Sequence, residues 1–152
     1  MKLTATFVLT AAAFAFSAPA SAQFQKPEDA VKYRQSVMSV MSTHFGRIGA
    51  MANGRAPFDA KVAQDSAQIV AIMSTLPWPA FTQNTESLKT RALPEIWKEG
   101  AKFKEASEKM QAEVVKLEAA AKTGNLDTIK TAFGAAGGSC KNCHDSFQAK
   151  AN

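Results

Sequence analysis

The sequence predicts an all-α fold, an antiparallel four-helix bundle. Three observations carry that reading. Apolar residues recur at steps of three and four in four separate stretches, proline- and glycine-bearing punctuation divides those stretches, and no segment sustains the period-two alternation of a half-buried strand. Two helical hairpins joined by a longer connection between the second and third helices satisfy all three.

The first helix is expected to start at Pro27-Glu28-Asp29. Proline at the first helical position loses no needed donor, and acidic residues suit the positive end of the helix dipole. Met38, Met41, Phe45 and Ile48 then share one face, while Tyr33, Val37, Val40 and His44 form a second, displaced stripe. The loop Asn53-Gly54-Arg55-Ala56-Pro57 ends the element. A second helix is predicted from near Asp59, carrying Val62, Ile69, Met73 and Leu76, until Pro77 and Pro79 stop it. Trp78 to Thr90 reads as an irregular crossover.

The third helix should begin near Pro94-Glu95 and run as one piece through Ile96, Phe103, Met110, Val114, Leu117 and Ala121 to a stop at Gly124. Asn125 is placed to cap the fourth, whose stripe is Ile129, Phe133, Ala136, Cys140, Cys143 and Phe147. Both cysteines therefore fall on the seam that faces the core.

Residues 1–22 read as a secretory signal peptide: a charged start at Lys2, an apolar run from Leu3 through Phe16, and the small-residue end Ala20-Ser21-Ala22. The apolar run is shorter than the ~20 residues needed to span a bilayer. Cleavage after Ala22 leaves residues 23–152, that is 152 − 22 = 130 residues, enough for one domain with one core. Without Lys2 the 18 basic residues become 17 against 13 acidic ones, a net +4 scattered over amphipathic stretches. That pattern marks a solvated helical surface and points to neither a nucleic-acid partner nor membrane insertion. Export also makes a disulfide chemically possible.

Cys140-Lys141-Asn142-Cys143-His144 is the C-x-x-C-H pattern of c-type haem attachment. Thiols at i and i+3 share one helix face and can form thioethers to two vinyl groups on one porphyrin edge. His144, at i+4 from Cys140, can bring its imidazole beneath the iron. Three rival readings exist. A thioredoxin-like motif needs a strand-to-helix junction, which is not visible here. A disulfide within one helical turn would close a small loop and constrain little. A zinc site normally takes four ligands, and beyond the signal segment the chain offers only Cys140, Cys143, His44 and His144.

Around this motif the chain resembles the cytochrome c′ family, bacterial periplasmic four-helix cytochromes whose haem motif lies near the C-terminus. The resemblance covers Lys26-Pro27-Glu28-Asp29-Ala30, Tyr33-Arg34-Gln35-Ser36, His44-Phe45-Gly46-Arg47, Leu76-Pro77-Trp78 and Pro94-Glu95-Ile96-Trp97 as well as the terminal motif. It implies one covalent haem c per chain, with a five-coordinate, high-spin iron. It further implies an apolar distal side that admits nitric oxide and carbon monoxide, an electron-transfer role with a redox partner not named by the sequence, a periplasmic location and a homodimer built on the first helix. By position, Met38 would stand over the distal face, with Trp78 and Phe81 in the pocket wall. Arg34, Gln35, Thr85 and Glu86 would contact haem, Arg34 being suited to a propionate through a charge-assisted bond.

Met38 carries the main ambiguity. It packs as ordinary core filler, stands over an open iron position, or ligates the iron through its thioether, giving a six-coordinate Met/His low-spin electron carrier of the cytochrome c-556 kind. The aromatic segment and His44-Phe45-Gly46 favour the open site. His44 sits on the displaced stripe and is read as a non-ligand, so no distal acid/base pair for peroxide chemistry is visible and an enzyme is not expected. One departure stands out: many members of the family carry arginine or lysine four residues after the haem histidine, and here that residue is Gln148. A neutral amide does not reproduce a guanidinium's charge.

Overall fold

The computed structural model describes residues 23–150; the expected signal segment lies outside the described residues. Helix α1 spans Pro27–Ala52, α2 Ala60–Met73, α3 Glu95–Lys98, α4 Gly100–Lys122 and α5 Leu126–Phe147. The four long helices form the expected bundle. Helices α1 and α2 pack as one hairpin, α4 and α5 as the other, and they meet through α2 against α4 and α1 against α5.

Local chemistry sets the helix ends. Pro27 occupies the first turn of α1 beside Glu28 and Asp29. The Asp59 carboxylate accepts the Val62 N–H at 3.0 Å, and the Asn125 side chain accepts that of Thr128 at 3.0 Å, so each caps its helix. Gly54 at φ 67° and Gly124 at φ 66° take the left-handed conformation just beyond α1 and α4, where a side chain would be strained.

Two expectations are corrected. Helix α2 ends at Met73, before Pro77, because the Trp78 indole takes the Ser74 carbonyl at 2.7 Å and the Ser74 hydroxyl takes that of Ala71. The predicted third helix is two helices. Glu99, at φ −116° and ψ 43°, breaks it between Lys98 and Gly100. The break accompanies a tertiary bond pair, in which the Trp97 indole N–H is shared by the carbonyls of Phe81 and Thr82, 3.1 Å from each. The crossover is also more ordered than "irregular" conveys, with 3₁₀ turns at Trp78–Ala80 and Gln83–Thr85.

Ile48, Val70, Val114, Leu117 and Ile129, from all four long helices, are completely buried at the bundle centre. Burying a side chain of this kind contributes about 1.5–3 kcal/mol. Gly49 lets α5 approach: a Cβ there would meet the Phe133 ring at 2.7 Å, and that ring is itself stacked on Phe45 at 4.4 Å between centroids. An antiparallel bridge between Ala92 and Gln148 ties the crossover to the end of α5.

Candidate functional site

At the end of the bundle where α5 finishes, the helices part around a cavity of about 660 Å³. That volume falls within the roughly 300–1,000 Å³ typical of small-molecule and cofactor sites. Cys140, Cys143, His144 and Phe147 reach it from α5, and Arg34, Gln35, Met38 and Phe45 from α1. The crossover adds Trp78, Phe81 and Arg91, and α4 adds Phe103 and Met110.

The i, i+3, i+4 spacing of α5 turns both thiols and the imidazole toward one space. Both cysteines are free and half-buried. Burial pushes the Cys140 thiol pKa up, a Ser139 hydrogen bond opposing it, and pushes Cys143 up with help from the neighbouring Cys140. Desolvation lowers the pKa of His144, Arg91's charge lowers it further, and Asp145 acts the other way. The imidazole is thus biased toward the neutral form that can donate a lone pair to a metal. Among the described residues, no three His, Cys, Asp or Glu side chains gather to hold a metal ion by themselves, which removes support for the zinc reading.

Arg34 is the least expected feature of the site. It is only 3% exposed, although it is charged. Its Nη1 donates to the Ala80 carbonyl at 3.1 Å and to the Thr85 hydroxyl at 2.9 Å, and its guanidinium lies 4.4 Å from the Phe81 ring centroid. Burial lowers its pKa, yet guanidinium remains protonated at any working pH. Its Nη2 is buried with no partner. An unpaired buried donor on a cation calls for an anionic acceptor, and the cavity that Arg34 lines is where such a group would lie.

The other candidate residues divide. Met38, half-buried, and Gln35 line the cavity, as do Trp78 and Phe81. Thr85 and Glu86 do not. The Thr85 side chain is fully buried against Arg34, and Glu86 accepts a bond from Gln83 at 2.6 Å. Thr85 therefore bears on the site through Arg34. His44 likewise lies outside the cavity lining, its Nδ1 buried without a partner.

Sequence reasoning missed Arg91, Phe103 and Phe147 as site residues. Phe103 touches Phe81 at 5.0 Å and Phe147 at 5.3 Å between centroids, linking Trp78 in the crossover to α5 through one aromatic chain. Phe103 and Phe147 were visible as stripe positions, but periodicity does not separate a core-facing ring from one that walls a cavity. Arg91 gave no local signal.

The site fits a covalently tethered haem: two thiols and an imidazole on one helix face, an apolar and aromatic enclosure, and a buried cation lacking an acid. Comparison with known proteins agrees. The family model described as Cytochrome C′ matches residues 29–148. Cytochrome c′ of Rubrivivax gelatinosus is 50% identical over 129 residues, covering 84% of this chain and 100% of that protein. Cytochrome c′ of Alcaligenes xylosoxydans xylosoxydans is 47% identical over 128 residues, covering 84% and 99%. The crystal structure of the Rubrivivax protein superposes with a TM-score of 0.81, covering 84% of this chain and all of that one. A nitric oxide complex of a variant from Alcaligenes xylosoxidans gives a TM-score of 0.79 at 46% identity, covering 84% and 100%. The chain belongs to the cytochrome c′ family, whose members carry covalently bound haem c.

Proposed function

We propose that this protein is an exported, periplasmic haem protein that transfers electrons and binds small neutral gases, nitric oxide and carbon monoxide among them. In this reading Cys140 and Cys143 would tether haem c by thioethers, and His144 would ligate its iron. Met38 would restrict access to that iron from α1 without ligating it. The carrying observation is that one cavity brings together the two thiols, the His144 imidazole, the apolar Met38 side chain and the unpaired Arg34 Nη2.

When bound, haem supplies a redox-active iron with a coordination position open to a diatomic gas. The protein's own residues do the rest. Arg34 offers Nη2 to a propionate by a charge-assisted bond, while Thr85 and Ala80 hold its other nitrogen in place. Phe45, Phe81, Phe103 and Trp78 exclude water, and Met38 restricts what reaches the iron from α1. Export rests on residues 1–22, which read as a cleaved signal peptide; among the described residues no helix is long and apolar enough to cross a membrane.

A homodimer seated on α1 is part of the proposal. The exposed Val40 on α1 and the exposed Val62 and Ile72 on α2 support it. We read the protein as a carrier and binder, not an enzyme, because His44 lines no part of the cavity that would hold the iron. A reduction partner is required but leaves no mark on this chain.

The test has two stages. Mass spectrometry of protein made with a working haem-maturation system should find one porphyrin added, and Cys140→Ala should abolish the second thioether; no added mass would overturn the reading. Optical spectra of the ferrous protein should then show broad high-spin bands that change on adding carbon monoxide. Sharp low-spin bands indifferent to carbon monoxide would replace the open site with the Met/His electron carrier, Met38 being the ligand.

A further inference from the structure

Gln148 leaves the His144 end of the cavity without the cation that the resemblance leads one to expect there. The fold returns one from a different element. Arg91, in the crossover, lines the same cavity as His144 and Gln148. Its Nε donates to the Ala149 carbonyl at 2.8 Å and its Nη2 to Gln148 Oε1 at 3.3 Å. The backbone fastens the two segments as well. Ala149 N–H donates to the Arg91 carbonyl at 2.8 Å, and Leu93 N–H to that of Phe147 at 3.0 Å.

We propose that Arg91 is a positioning residue of the haem site: it sets a positive charge beside the His144 end of the cavity and holds the Gln148 amide in one orientation. This rests on the function proposed above. A guanidinium has only donors, so the amide atom facing it is the oxygen, and Gln148 Nε2 is turned away from Arg91. The charge is not cancelled locally. Among the described residues every ion pair is made by a lysine, and none involves Arg91. A fixed positive charge near a redox centre favours the state holding the extra electron. Arg91 is exposed, so its influence weakens as salt rises.

The experiment uses full-length protein whose haem content has been verified by mass, so that a null result bears on Arg91 alone. Reduction potentials of wild type, Arg91→Ala and Arg91→Lys are compared at low and high ionic strength. Arg91→Ala should lower the equilibrium constant for reduction by roughly threefold at low salt, which is about 28 mV given 59 mV per tenfold for one electron. High salt should shrink the gap, and Arg91→Lys should recover most of it because the charge is kept. Amide hydrogen exchange at Ala149 should quicken in Arg91→Ala and also in Arg91→Lys, since lysine lacks the two-pronged donor geometry. An unchanged potential at low salt would overturn the electrostatic role, as would a drop that lysine fails to restore. Unchanged exchange at Ala149 in Arg91→Ala would overturn the hold.

Discussion

Arg34 and Thr85, 51 positions apart in the chain, are joined by a 2.9 Å hydrogen bond inside the protein. The bond pins the second 3₁₀ turn of the crossover to α1, and the Thr85 hydroxyl donates in turn to the Thr82 carbonyl at 2.7 Å. With the Ala80 carbonyl bond and the Phe81 ring, Arg34 gathers the whole segment from Ala80 to Thr85. A charge is thereby used as a loop anchor, with one nitrogen to spare.

Removing that anchor should be costly. Arg34→Ala strands the Ala80 carbonyl and opens a hole under Phe81, and is expected to lose about 3 kcal/mol of stability. Thr85→Val keeps the shape but drops both the bond from the charged Arg34 donor and the bond to the Thr82 carbonyl, with an expected loss of about 2–4 kcal/mol. Urea unfolding of the haem-bearing protein measures both; equal stability of Arg34→Ala and wild type would contradict the anchor.

The bundle centre and a helix cap should respond on different scales. Leu117→Ala, at a position with no exposed surface, is expected to cost about 2–5 kcal/mol. Asn125→Ala removes the acceptor of the Thr128 N–H and of the Thr128 hydroxyl at the exposed helix start and is expected to cost about 1 kcal/mol. Calorimetric unfolding should rank them in that order.

In the haem-free protein, where the His144 imidazole is free to take up a proton, that residue gives stability a dependence on pH. Its pKa lies below the ordinary imidazole value of 6.5, chiefly through desolvation and next through Arg91. Between the two values the unfolded chain holds a proton that the folded chain lacks. This contribution is therefore complete above pH 6.5 and is lost as pH falls from there toward the folded pKa. A stability profile that rises on acidification through this window, with His144→Phe flat by comparison, would count against it.

Met38→Ala should separate blocking from ligation. With Met38 as a steric cover, the substitution should leave the ferrous spectrum high-spin and raise carbon monoxide affinity about tenfold, equivalent to about 1.4 kcal/mol. Conversion of a low-spin spectrum to a high-spin one on substitution would show instead that the thioether had been bound to iron.

Most of the architecture was legible because it rests on local rules. Asp59 and Asn125 announced caps that the structure contains, Gly54 and Gly124 fell where the chain turns left-handed, and the Cys140–Cys143–His144 spacing placed three groups on one face. What escaped was tertiary. The break at Glu99 interrupts a stripe that is continuous on paper, and accompanies the bonds from Trp97 to the crossover. Arg34 looks like a surface arginine until a loop from elsewhere in the chain folds over it. Arg91 carries no pattern at all, since its partners are brought beside it only by the bridge to the end of α5.

That bridge also has a practical side. Because Ala92 pairs with Gln148, the segment that follows α5 is stitched into the mouth of the site. Purification handles or fusion partners placed directly after Asn152 would pull on the rung that closes the cavity.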